Sequence, residues 1–199
     1  MSTMDTLISE LTSGDDNLAE SAMNKLVAEG EKSFPAMKNL LDSPDANHRW
    51  WALSVLAQIE NADVNWMLAA LDDESVEVRQ CAALGLSVHP DDRSVSALVK
   101  ALHDPDSMVS TLAANALSKV GIAAVDELLL VFEESETEEN ILQVKAARLG
   151  AIRALAIIAD PRAIPAMMAA LEEDSVFMNH WAETGLKNMG QDMVYLKLD

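Results

Sequence analysis

The chain has 199 residues, half of them hydrophobic, enough for one or two ordinary cores. Its 33 acidic residues against 14 basic leave a net charge of −19, which repels phosphate backbones and anionic membranes and argues against a nucleic-acid binder. One cysteine, Cys81, excludes a disulfide framework, and aromatics at only 4% beside abundant alanine, leucine and methionine favour helix over sheet.

The opening residues "MSTMDTLISELTSGDDN" do not read as a signal peptide. The most apolar stretch, residues 149–171, is interrupted by Arg153, Asp160, Pro161, Arg162 and Pro165, a pattern that a bilayer-spanning helix tolerates poorly. The expectation is a soluble cytoplasmic protein.

Along the chain, one shape recurs: an apolar helix, an acidic turn, then a second helix. It appears in "LLDSPDANHRWWALSVLAQI" (40–59), "ALDDESVEVRQCAALGLSV" (70–88), "ALHDPDSMVSTLAANALSKVG" (101–121), "RLGAIRALAIIADPRAIPAMMAALEED" (148–174) and "ALEEDSVFMNHWAETGLKNMG" (170–190). The last large apolar residue of each first helix falls at Leu11, Leu41, Leu71, Leu102, Phe132 and Leu171, a period near 30 with one step of 39. Two helices per unit at that period predict an all-α fold, an α-solenoid of about six hairpins forming a single domain over residues 1–199. Asp45, Ser75, Asp106 and Ser175 stand where a side chain can cap the second helix of its unit. Pro44 and Pro105 stop the helix before it, and Gly121 and Gly190 suit helix C-termini. The long step carries "EESETEEN" (133–140) and predicts an acidic exposed loop, an over-long second helix, or both. The segment around Leu7–Leu11 and the tail "MVYLKLD" (193–199) are expected to cover the ends of the stack.

Residues 72–106 and 148–174 carry an acidic turn, a Val-Arg or related step, paired small residues and a second apolar helix ending in leucine. In this the chain resembles the HEAT repeats, in particular the short HEAT-like repeats first named from phycobilisome lyases. The resemblance covers about residues 18–190. It implies a right-handed superhelix whose Val-Arg helix lines the concave side, with the arginine pairing to turn acids of an adjoining repeat. Arg49, Arg79 and Arg148 hold that position; Ala19, Ser110 and Asn179 interrupt the ladder in the other units.

Counting from the arginine position, residues three, four and seven further on fall within about 60° of it. These are Ala52, Leu53 and Leu56, and their equivalents Ala82, Ala83 and Leu86, Ala113, Ala114 and Leu117, and Ala151, Ile152 and Leu155. This is the expected buried stripe. Residues one, two and five further on lie on the opposite arc. Trp50 and Trp51 both fall there, which accounts for two adjacent tryptophans that could not share one narrow stripe. If the resemblance holds, that arc faces a groove offering Trp50, Trp51, Gln80, Cys81, Leu84, Leu112, Asn115, Leu149, Arg153, His180 and Trp181. A contiguous apolar surface with tryptophan anchors suits a protein or peptide partner.

No phosphate-binding loop, zinc-protease or nucleophile-elbow pattern occurs. His48, His89, His103 and His180 form no i, i+4 pair, so no metal or other cofactor is expected. Cys81 has no nearby histidine in sequence and reads as a small hydrophobe. The expected role is a non-enzymatic adaptor. A chromophore-handling protein is the alternative, because the resemblance to lyase repeats implies contact with a linear tetrapyrrole. A DNA-repair role would need a basic concave face, which the charge balance opposes.

Overall fold

The structure is a computed structural model that describes residues 3–138 and 140–191; the tail 193–199 lies outside them. Among the described residues there are twelve α-helices and no strand. They pair into six hairpins, each a first (A) and a second (B) helix. The chain divides into two compact units, residues 1–89 and 90–199.

The first unit holds α1 (Thr3–Leu11) with α2 (Asp16–Glu29), α3 (Phe34–Leu41) with α4 (Ala46–Leu56), and α5 (Val64–Ala70) with α6 (Val76–Val88). Its B helices α2, α4 and α6 stack side by side. The second unit repeats the plan: α7 (Val95–Ala101) with α8 (Ser107–Val120), α9 (Val125–Phe132) with α10 (Ile141–Ile158), and α11 (Ile164–Leu171) with α12 (Val176–Asn188). There α8, α10 and α12 form the stack. The fold is an α-solenoid built from helical hairpins. Leu7 and Leu11 of α1 are buried.

The predicted stripe is the core: Leu53, Leu56, Leu86, Leu117, Ile152 and Leu155 are wholly buried. The stripe is wider than expected, because each central B helix is covered by its own A helix and by a B helix on either side. Six residues after the arginine position stand Val55, Gly85, Ala116, Ala154 and Gly185, all buried. Mostly small, they let the stacked helices approach closely.

Asp45 and Asp106 cap α4 and α8 by accepting backbone N–H bonds, and Ser175 accepts from Met178 N at 3.4 Å. Ser75 occupies the cap position of α6 without capping. Its hydroxyl donates instead to Glu77 at 2.7 Å, and Asp73 accepts the Ser75 N–H at 2.8 Å. The long step yields both predicted features, an acidic turn over 133–138 and a helix that begins early. B helices α4, α6, α8 and α12 start three residues before the arginine position, whereas α10 starts seven before Arg148, one turn sooner.

By composition, Ser107–Phe132 is long and apolar enough to cross a membrane. Gly121, at φ +81°, breaks it into α8 and α9, whose apolar sides pack on neighbouring helices. The equivalent closing residue of α10 is Ala159, left-handed at φ +56° and the one such non-glycine among the described residues. An L side chain there costs about 1–2 kcal/mol. Ala159→Gly is therefore expected to raise stability by about 1 kcal/mol, seen as a Tm increase of about 2–4 °C.

Candidate functional site

In the first unit, the apolar B-helix face is built on α4 and α6. Trp50 and Trp51 follow Arg49, whose fixed position sets both indoles off the core stripe. Both are half-buried, and their rings meet edge to face at 4.8 Å and 80°. Across the helix gap, Cys81 Sγ lies 3.5 Å from Ser54 Oγ and 3.9 Å from the Trp50 carbonyl. Burial pushes the Cys81 thiol up, against a lowering by the Ser54 hydrogen bond. The thiolate needed for nucleophilic chemistry is thus disfavoured. Gln80 is half-buried and Leu84 is 52% exposed. Toward α2, Gln58 Nε2 donates to the Ser54 carbonyl at 2.9 Å and reaches Met23 Sδ at 3.4 Å.

In the second unit the matching face runs over α8, α10 and α12. Arg153 donates to Asn115 Oδ1 and lies over the Trp181 ring at 5.6 Å, so these three residues form a row across three helices. Arg153 Nε is shielded from solvent and has no hydrogen-bond partner. His180 packs edge to face on Trp181 at 5.4 Å, and Leu112 and Leu149 are half-buried. The predicted face residues therefore fall into two sets, one on each unit, and none of them is buried.

The arginines sit at the edge where A helices turn into B helices. Arg49, 8% exposed, forms a two-pronged pair with Asp73 at 2.7 Å on both bonds and donates to its own turn at the Ser43 carbonyl, 2.9 Å. It thereby ties two consecutive hairpins together. Arg79 donates to the carbonyls of Asp73 (2.9 Å) and Glu74 (3.3 Å). Arg148 binds the Phe132 carbonyl at 2.9 Å, pairs with Glu136 and with Glu173 of the next hairpin, and covers the Phe132 ring at 5.0 Å. In the last hairpin Asn179 stands in its place.

A family model described as HEAT repeats matches residues 64–140, and one described as PBS lyase HEAT-like repeat matches residues 147–173. The chain belongs to the HEAT-repeat family. No curated protein matches it in sequence. Among solved structures, an engineered protein aligns with a TM-score of 0.54 at 23% identity, over 96% of this chain and 97% of that one. A designed armadillo repeat protein, solved in complex with the peptide (KR)4, aligns with a TM-score of 0.51 at 19% identity, over 94% of this chain and 99% of that one. Human deoxyhypusine hydroxylase, in complex with glycerol, aligns with a TM-score of 0.53 at 19% identity, over 95% of this chain and 74% of that one. At these identities the likeness concerns the fold.

Within this HEAT-repeat chain, sequence reasoning passed over several exposed apolar residues. Val88 and Ile157 sit nine residues past the arginine position, and Met108 and Phe177 two before their units' equivalent. Both offsets lie on the arc of Trp50 and Trp51 or beside it, so extending the wheel by one turn each way would have found all four residues. No group of three or more His, Cys, Asp or Glu able to hold a metal occurs among the described residues.

Proposed function

We propose that this HEAT-repeat chain is a non-enzymatic interaction module whose B-helix faces bind a peptide segment of a protein partner. One observation carries the reading. Of the twelve large apolar side chains that remain exposed among the described residues, nine belong to B helices. Apolar exposure that collects on one set of helices marks an interaction surface, whereas singly scattered residues need no explanation. Trp50 and Trp51 are the anchors in the first unit; Trp181, held by Arg153, is the anchor in the second. Tryptophan offers large area at small entropy cost and is enriched among residues that dominate interfaces. The peptide complex of a designed armadillo repeat protein supports this use of a related fold.

The net charge of −19 favours a protein over a nucleic acid or an anionic membrane. The match to the PBS lyase HEAT-like repeat spans one unit and speaks to repeat shape; bilin handling gains nothing further from it.

The test is affinity capture from the native cell with the intact chain and with Trp50→Ser/Trp51→Ser, quantified by mass spectrometry. Both side chains are half-buried, so circular dichroism checks that the variant folds. Recovery of the specific partner is expected to fall by about tenfold or more. Unchanged recovery by a folded variant overturns the role given to these tryptophans.

A further inference from the structure

The second unit carries a cleft beside Arg148. An open cleft of about 740 Å³ lies between the N-terminal parts of α10 and α12, lined by Glu136, Lys145, Ala146, Arg148, Leu149, Glu173, Asp174, Ser175 and Met178. α10 supplies Lys145, Ala146, Arg148 and Leu149 to this cleft, and its extra first turn, residues 141–144, runs on past them.

Beside this mostly charged cleft, α10 carries an outward stripe that is apolar apart from Arg153. Leu142 is 75% exposed, and from it Ala146, Leu149, Arg153 and Ile157 follow at spacings of four, three, four and four, one continuous stripe along α10. Its length is about 22 Å. On the neighbouring α12, Phe177 is 70% exposed and Trp181 lies one turn further on. Two adjacent helices with facing apolar ridges leave a furrow that accepts a third helix. At its N-terminal end the furrow meets acids. Glu136 and Glu173 partly neutralise Arg148, and Lys145 lies 3.7 Å from Glu136. Asp174 joins them in the lining, and Glu133, Glu138 and Glu172 lie close by in the two turns.

We infer that the furrow between α10 and α12 docks a short amphipathic helix of a partner protein, with an apolar face of about four turns and lysines or arginines clustered at the end that meets the acidic turns. Charge complementarity selects the basic end. Two neighbouring helices with exposed apolar ridges about four turns long suit a helical occupant lying between them. The inference rests on the proposed role of the B-helix faces and assigns one partner chemistry to one part of them.

The test uses the full chain and a fluorescein-labelled 16-residue peptide with leucines at i, i+4, i+7 and i+11 and three lysines at one end, followed by fluorescence anisotropy. Its controls are the same peptide with glutamates for the lysines and with serines for the leucines. The lysine-leucine peptide is expected to bind and both controls to bind weakly. Leu142→Ser/Phe177→Ser, which changes only exposed side chains, should weaken binding by about tenfold or more. Glu172→Gln/Asp174→Asn should weaken it by about threefold and flatten its salt dependence. Absence of binding, equal binding of the glutamate peptide, or full affinity in folded Leu142→Ser/Phe177→Ser each overturns the inference. Loss of the native partner with Trp50→Ser/Trp51→Ser alongside any of these outcomes leaves the broader reading standing, so the two fail separately.

Discussion

Arg49→Ala is expected to destabilise the protein by about 3–5 kcal/mol, the cost of breaking a buried ion pair at one end. Stabilities of native domains are only about 5–15 kcal/mol, so the first unit should unfold at a much lower urea concentration. The residue is buried, both bonds to Asp73 are 2.7 Å, and the Ser43 carbonyl takes a third. Removing the guanidinium leaves Asp73, whose side chain is only 12% exposed, beside low-dielectric surroundings without its main counter-charge. Arg49→Lys keeps the charge and loses the planar fork, so its loss should be intermediate.

The same pair sets a pH dependence. Burial pushes the Asp73 carboxyl up, but the Arg49 hydrogen bonds and the Ser75 N–H more than reverse it and hold it below its ordinary value. A carboxylate depressed in the folded state contributes stability that is fully present above its unfolded pKa and is lost as pH falls through the folded value. The wild type should therefore lose stability below about pH 4 relative to Asp73→Asn, which starts lower and lacks this dependence. Parallel urea midpoints of the two proteins across that range would contradict the assignment.

The second large effect belongs to a glycine. A Cβ on Gly185 would sit 3.1 Å from the Cα and Cβ of Ala156 and 2.9 Å from Met167 Sδ. The thioether can swing away, whereas the backbone of α10 cannot. Gly185→Val is expected to cost about 3 kcal/mol through overpacking. Gly185→Ala should also destabilise, although alanine gains about 1 kcal/mol over glycine in a helix. Gly85 is the control at the equivalent position. Its nearest neighbours are Met67 Sδ at 2.9 Å and Ala57 Cβ at 3.3 Å, both side-chain atoms. Gly85→Ala should thus be near neutral. Thermal melts of the three variants separate tight backbone packing from helix propensity, because propensity alone would stabilise both alanine variants.

These positions also show how far the sequence can be read. The hairpin register was legible because the acidic turns, the arginine position and the terminal leucines repeat, and each reflects a local rule of capping or burial. The small residue six places after the arginine was not, because Val55 and Ala154 look like ordinary helix filler until α4 and α10 are known to be covered on three sides. Helix α4 has little one-sided character for that reason: Val55 is buried along with Leu53 and Leu56. Ser75 misled because Glu77, two residues on, captures its hydroxyl. Among the proposed binding residues, Trp50 and Trp51 declared themselves by adjacency. Arg153 was foreseen on the face, but its bond to Asn115, 38 residues away, follows from the stacking of α8 on α10. Leu142 lay hidden in the irregular repeat, where no repeat frame assigned it a position.

The most direct measurement of the B-helix recognition surface is hydroxyl-radical footprinting of the captured complex against the free chain. Protection is predicted at Trp50, Trp51 and Leu84 of the first unit or at Trp181 and Leu142 of the second, with Leu130 and Met168 of the A helices unchanged. Protection confined to Leu130, Met168 and their A-helix neighbours, with the three indoles as reactive as in the free chain, would contradict it.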